Sequence, residues 1–288
     1  MLTEKNDITY QFIRVNNIKL NVALSGPAGG DPVILLHGFP DASFGWDAQI
    51  RALADAGFYV IAPDQRGYNL SDKPNGVDSY RVNLLVSDVI ALADALGISC
   101  FNLAGHDWGA LVCWNLVELY PERVKRLAIL NVPHPRVMNR FLKTNWRQQL
   151  RSWYAFFFQI PFLPEISLSA FNWKAPAGLM CKSFSEVELN RYKVAWSQPG
   201  AMTAMINWYR ALFLRSQAHI TAKKIRVPTL MIWGKLDPHL MWQMAPESIA
   251  MCEKGKLEYV EDATHWVHQD KPELVNRLLL EHFQAGQK

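Results

Sequence analysis

The sequence predicts an α/β architecture: a mostly parallel, eight-stranded sheet flanked by helices and interrupted once by an inserted helical cap. Two observations carry this reading. From Val33 onward, short apolar runs alternate with helical periods, as strands joined through helices require. Near Pro133 the alternation stops, and near Pro228 it resumes. The stretch between is rich in Trp, Phe, Tyr and Met at helical rather than strand spacing. The expected organisation is a first core segment at 1–132, a helical cap at 133–217 and a second core segment at 218–288.

Each element follows from its residues. Segments 9–15 and 18–24 form an expected strand pair around Asn16-Asn17, a turn signal. Residues 33–36 read as a buried strand, followed by a helical face of Trp46, Ile50, Leu53 and Ala54 that Gly57 is placed to end. A strand at 58–62 comes next. Val82, Leu85, Val86, Val89, Leu92, Ala93 and Leu96 then repeat at helical spacing up to Gly97. Residues 101–104 are a third core strand and 109–119 a nearly all-apolar helix, which must be buried on most sides. Further strands are expected at 127–131, 228–233 and 257–260. Helices are expected near 245–251 and, opened by Pro272, at the end of the chain.

Half of the 288 residues are apolar, enough for a sizeable core. No Ser/Gly/Pro-rich linker, charge run or internal repeat divides the chain, which favours one large domain with an insertion. The net charge of +4 comes from scattered Lys and Arg. That pattern lacks the basic stripe of a nucleic-acid binder. Cys100, Cys113, Cys181 and Cys252 lie far apart, with no Cys-x-x-Cys pair. The first seven residues are polar and lack the apolar segment of a signal peptide. The best candidate for a membrane span, 153–163, is too short and is broken by Gln159 and Pro161. A soluble, cytoplasmic protein without a strong membrane signal is expected, and a homodimer stays open.

The chemistry centres on Gly105-His106-Asp107-Trp108-Gly109, between a strand and an apolar helix. Small residues two places either side of a nucleophile are what a sharp strand-to-helix turn requires. Asp107 could equally be a helix cap by this pattern alone. Two further features point to catalysis. His37-Gly38-Phe39-Pro40 follows the 33–36 strand, where the α/β-hydrolase fold takes one backbone N–H of its oxyanion hole, here from Phe39; Trp108 supplies the other. The His37 ring itself reads as packing. Downstream, Asp237 and His265 each follow a strand, giving the order nucleophile, acid, base. His134, His219, His239, His268 and His282 read as surface or packing residues.

Assembled, these segments resemble the epoxide hydrolase branch of the α/β-hydrolase superfamily over nearly the whole chain. The motifs are HGFP at 37–40, PDQRGY at 63–68, GHDWGA at 105–110, NVPHP at 131–135, NWYR at 207–210, WGKLD at 233–237 and HWVHQDKP at 265–272. The resemblance implies two cap tyrosines that donate protons to the epoxide oxygen, Tyr154 and Tyr209. From residue type alone both would be aromatic packing. Phe39, Trp108, Phe158 and Trp208 are expected to line a pocket for a small apolar epoxide. Asn69 departs from the Gly usual after Gly67-Tyr68, in a loop where Asn tolerates similar backbone angles.

The implied reaction attacks the less hindered epoxide carbon with Asp107. A neutral His265, oriented by Asp237, then activates water against the resulting ester. No metal or organic cofactor is expected: there is no His-Glu-x-x-His, P-loop or dinucleotide fingerprint. Haloalkane dehalogenases share His106-Asp107-Trp108-Gly109 but place Asn or Glu at Phe39. Fluoroacetate dehalogenases carry arginines where Trp108 and Leu111 stand. A catalytically silent ligand-binding member is the third alternative, although Asp107, Asp237 and His265 are all retained. No Gly-x-Ser-x-Gly occurs at the turn, which disfavours a serine esterase.

Overall fold

The computed structural model describes residues 7–180, 183–214 and 224–285. Eight strands form one sheet in the order β1-β2-β4-β3-β5-β6-β7-β8. They are β1 (Thr9–Val15), β2 (Ile18–Ser25), β3 (Pro32–Leu36), β4 (Tyr59–Pro63), β5 (Phe101–His106), β6 (Val124–Leu130), β7 (Thr229–Gly234) and β8 (Gly255–Val260). The β1–β2 and β2–β4 pairs are antiparallel and the rest are parallel. Because successive side chains point to opposite faces, the apolar runs feed two cores. Ile34, Leu36, Leu103, Ile129 and Met231 enter one, while Val33, Leu35, Ala104, Leu130 and Ile232 enter the other.

Helices cover both faces: α1 (Asp47–Asp55), α2 (Val82–Ala95) and α3 (Trp108–Leu119) before the insertion. Between β6 and β7 come α4 (Pro135–Thr144), α5 (Trp146–Arg151), α6 (Trp153–Phe157), α7 (Leu163–Met180), α8 (Glu186–Trp196) and α9 (Ala201–Ala211). The core resumes with α10 (Ala245–Ile249), α11 (Val267–Asp270) and α12 (Pro272–Gln284). Segment α7 is broken at Ala170–Trp173, where Phe171, Asn172 and Trp173 take positive φ. The expected boundary at 217/218, together with Cys181 and His219, lies outside the described residues. No described helix is long and apolar enough to cross a membrane.

Parallel strands place their C-terminal ends on one edge, and the site is assembled there. β3 ends at Leu36 before Gly38-Phe39, β5 at His106 before Asp107, and β7 at Gly234 before Asp237. β8 ends at Val260 before His265.

Candidate active site

Asp107 stands alone between β5 and α3 with φ 48° and ψ −120°. A side-chain-bearing residue holds such a conformation only where its surroundings over-determine it. They do here. A Cβ on Gly109 would come within 2.1 Å of the Leu36 carbonyl oxygen, and one on Gly38 within 2.4 Å of Asp107 Cβ. The helix-cap alternative does not describe the geometry, because the Asp107 side chain makes no capping hydrogen bond to α3. Its Oδ1 instead accepts the Phe39 N–H at 2.7 Å. Trp108 is the first residue of α3, so its N–H is among those without an intrahelical acceptor.

His265 is 3% exposed and lies between two carboxylates. Its Nδ1 is 2.7 Å from Asp237 Oδ2 and its Nε2 is 3.5 Å from Asp107 Oδ2. Asp237 is fixed in turn: Oδ1 accepts the N–H groups of His239 and Leu240 at 2.7 and 2.9 Å, and Oδ2 accepts Asn131 Nδ2 at 2.9 Å. Asn131, at the end of β6, also accepts the Gly234 N–H at 2.9 Å. Its part in holding Asp237 was signalled only by its place in NVPHP at 131–135.

Burial alone would lower the pKa of His265; Asp237 and Asp107 outweigh it and push the imidazole up to about 10. Burial alone would raise Asp107, but His265, His106 and the Phe39 N–H hold it down at about 2. The resting pair at neutral pH is therefore an imidazolium between carboxylates. The expectation of a neutral His265 concerns the later stage, in which Asp107 carries an ester and one of these two charges is gone.

A cavity of about 410 Å³ opens over Asp107 and His265. Its walls include Phe39, Trp153, Tyr154, Phe157, Phe158, Leu168, Tyr209, His239 and Trp266. Both expected tyrosines face it, with ring centres 5.9 Å apart. Burial, then the nearby Asp107, raises the pKa of each phenol, so both are neutral donors. Arg210 brings the two together: it donates to the carbonyls of Phe158 and Ile160 and pairs with Glu165 at 2.6 Å, holding the α6–α7 connection against α9.

Three expectations change. Trp208 does not line the cavity; it is 1% exposed and its indole N–H donates to the Arg66 carbonyl at 3.0 Å. Neighbours on a helix point about 100° apart, so Tyr209 and Trp208 cannot share the cavity face. The Trp108 ring is also behind the wall, edge-on to Tyr209 at 4.8 Å. His239, read as packing, lines the cavity beside His265 and Tyr154. The other packing assignments that fall on described residues agree with the geometry. His37 is fully buried and accepts the Gln65 N–H at 3.0 Å, and His134 caps α4.

Beneath the site, Asp41, His106 and His268 converge, each offering one ligand atom within 4.8 Å of the others. It is the one cluster of metal-ligand type among the described residues, and it is fully buried. His106 Nε2 lies 2.9 Å from the His265 carbonyl oxygen. A carbonyl only accepts, so Nε2 carries the proton and Nδ1 keeps its lone pair.

Sheet order, the strained turn and the helical insertion define an α/β hydrolase with aspartate at the nucleophile position. The chain matches the alpha/beta hydrolase fold family over residues 31–272. It is 44% identical over 277 residues to the AB hydrolase superfamily protein YfhM of Bacillus subtilis (strain 168), covering 94% of this chain and 96% of that one. It is 33% identical over 276 residues to Epoxide hydrolase 2 of Caenorhabditis elegans, covering 93% of this chain and 78% of the relative. The crystal structure of Bacillus megaterium epoxide hydrolase with an inhibitor superposes with a TM-score of 0.88 at 30% identity, covering 95% of this chain and all of that one. The chain belongs to the epoxide hydrolase family of the α/β-hydrolase superfamily.

Proposed function

We propose that the protein hydrolyses epoxides to vicinal diols through an alkyl ester on Asp107. One observation carries this: Asp107 Oδ1 is held by the Phe39 N–H while Oδ2 faces His265 at 3.5 Å, in a cavity that also carries Tyr154 and Tyr209. A carboxylate already ionised at neutral pH suits displacement at saturated carbon. A bound form of a Bacillus megaterium relative, a single-residue variant complexed with its product (R)-3-[1]naphthyloxy-propane-1,2-diol, accords with a diol product here.

In the first step Asp107 Oδ2 forms a bond to the less hindered epoxide carbon and the C–O bond breaks. Tyr154 and Tyr209 stabilise the departing oxygen and protonate it, and the imidazolium of His265 returns the proton to the tyrosine. Asp107 is now a neutral ester and His265 a neutral base. In the second step His265 takes a proton from water, and the hydroxyl adds to the Asp107 carboxyl carbon. The N–H groups of Phe39 and Trp108 hold the resulting oxyanion on Oδ1. Collapse expels the diol oxygen, which His265 protonates; the released Asp107 acid then returns its proton to the imidazole. The helices of 133–217 act as the cap over a core made of 1–132 and 218–288. The free thiols of Cys100, Cys113 and Cys252 accord with a reducing, cytoplasmic setting.

A single turnover in ¹⁸O water tests the route. Label is expected in Asp107 and absent from the diol, because water attacks the carboxyl carbon. His265→Gln is expected to accumulate the ester, seen as intact protein plus one substrate mass. Label in the first-turnover diol would rule the ester out, and halide release from a bromoalkane in place of diol formation would favour the dehalogenase alternative.

A further inference from the structure

The polar groups of the cavity fall into two sets. Asp107, His265, Tyr154 and Tyr209 take part in the reaction proposed above; Ser167 and His239 do not, and the Ser167 hydroxyl donates to the Pro164 carbonyl at 3.0 Å, which leaves His239. Its main chain is fixed from both sides: the N–H donates to Asp237 Oδ1 at 2.7 Å, and the carbonyl accepts Gln148 Nε2 of α5 at 2.9 Å. Its ring stands edge-on to Tyr154, His265 and Trp266, with centres 5.8, 5.4 and 6.2 Å away. Neither ring nitrogen has a hydrogen-bond partner among the described residues. Burial, and then the charge on His265, lowers its pKa to about 4, so at neutral pH the ring offers one N–H donor and one acceptor. The surrounding wall is Phe39, Phe157, Phe158 and Leu168. For a hydrocarbon substrate, Leu or Phe would suit that wall better, because burying an unpaired imidazole against an apolar ligand is unfavourable.

We propose that His239 is a polar subsite that binds an oxygen on the substrate's side chain, selecting epoxides with an ether or ester oxygen close to the ring over plain hydrocarbon epoxides. The inference rests on the epoxide-hydrolysis reading. The edge-on contacts with Tyr154 and His265 put the His239 ring directly beside the reacting groups, so its reach is to an oxygen close to the oxirane. An oxygen attached through one methylene to the oxirane meets that reach.

Phenyl glycidyl ether and 2-(2-phenylethyl)oxirane differ only by oxygen in place of methylene, and kcat/KM for both is measured with wild type, His239→Leu and His239→Gln. The difference in intrinsic reactivity cancels when the ether-to-hydrocarbon ratio is compared between proteins. That ratio is expected to fall about tenfold in His239→Leu and to recover most of the loss in His239→Gln, the worth of one hydrogen bond in a dry site. Inhibition of the wild type by the two diol products needs no variant, and the ether diol is expected to bind about tenfold more tightly. Diol formed from both epoxides at a ratio unchanged by Leu, or equal inhibition by the two diols, overturns the subsite alone. Diol from neither epoxide overturns the hydrolytic reading and the subsite with it.

Discussion

At the scale of single residues, His265 lies between two carboxylates, and the proposed reaction removes the charge of one. Its raised pKa of about 10 reflects Asp237 and Asp107 together overcoming burial. In the proposed reaction alkylation of Asp107 would cancel one anion, so the imidazole would lose affinity for its proton when a base is needed. Asp107→Asn imitates the neutral ester and is predicted to lower the His265 titration midpoint by at least one unit, about 1.4 kcal/mol. The ring ¹H–¹³C signal of His265 reports it, and an unchanged midpoint would sink the trigger. The signs for stability follow from the same shifts. The His265 contribution is complete below its ordinary value of 6.5 and is lost as pH rises through about 10. The Asp107 contribution is complete above 3.8 and is lost as pH falls through about 2. The melting temperature of the wild type should therefore decline from neutral pH to pH 10 more steeply than that of His265→Gln.

At the scale of elements, the turn at Asp107 works because β3, β5 and α3 approach more closely than side chains allow. Gly109→Ala is predicted to destabilise the protein by ~3 kcal/mol, since its Cβ would meet the Leu36 carbonyl, a backbone atom that cannot step aside. For a chain of this size that lowers Tm by roughly 6–12 °C. A Tm within about 2 °C of wild type would mean that α3 can draw back from the sheet. These same elements were the legible ones in the sequence, because buried parallel strands read as unbroken apolar runs. Strand limits shifted by a residue or a few: β6 begins at Val124, where a start at Leu127 was expected, since the charged Lys125 and Arg126 hide its first half. The cap was legible as helical but not in detail. Its helices carry aromatic side chains on several faces, so periodicity could not tell Tyr209 from Trp208. Nor could it foresee the break at Ala170–Trp173. His239 reads as packing from sequence because nothing local marks it; only the fold carries it to the cavity wall.

At the scale of the whole molecule, the cavity exists because the cap is joined to the core by buried hydrogen bonds from several helices. Tyr192 of α8 donates to Asp41 at 2.6 Å, and Trp208 of α9 donates to the Arg66 carbonyl. Gln148 of α5 takes the Met241 N–H and donates to the His239 carbonyl. Arg66 is itself locked to Asp88 of α2 by paired contacts of 2.6 and 2.7 Å, and Asn16 of the β1–β2 turn donates to the same carboxylate. Cap, sheet edge and α2 therefore meet at one buried ion pair. Breaking such a pair by removing one partner costs roughly 3–5 kcal/mol, far more than a surface bridge is worth. A cap held this way should not melt on its own. Unfolding is predicted to be one cooperative transition, with near-UV dichroism from the tryptophans of cap and core lost in a single step at the far-UV midpoint. Trp208→Phe leaves the Arg66 carbonyl unpaired and is predicted to lower stability by ~1–3 kcal/mol while keeping the two midpoints together. Midpoints that separate, with the aromatic signal lost first, would mean that the cap opens independently and that the pairing of Tyr154 with Tyr209 is assembled only after substrate enters.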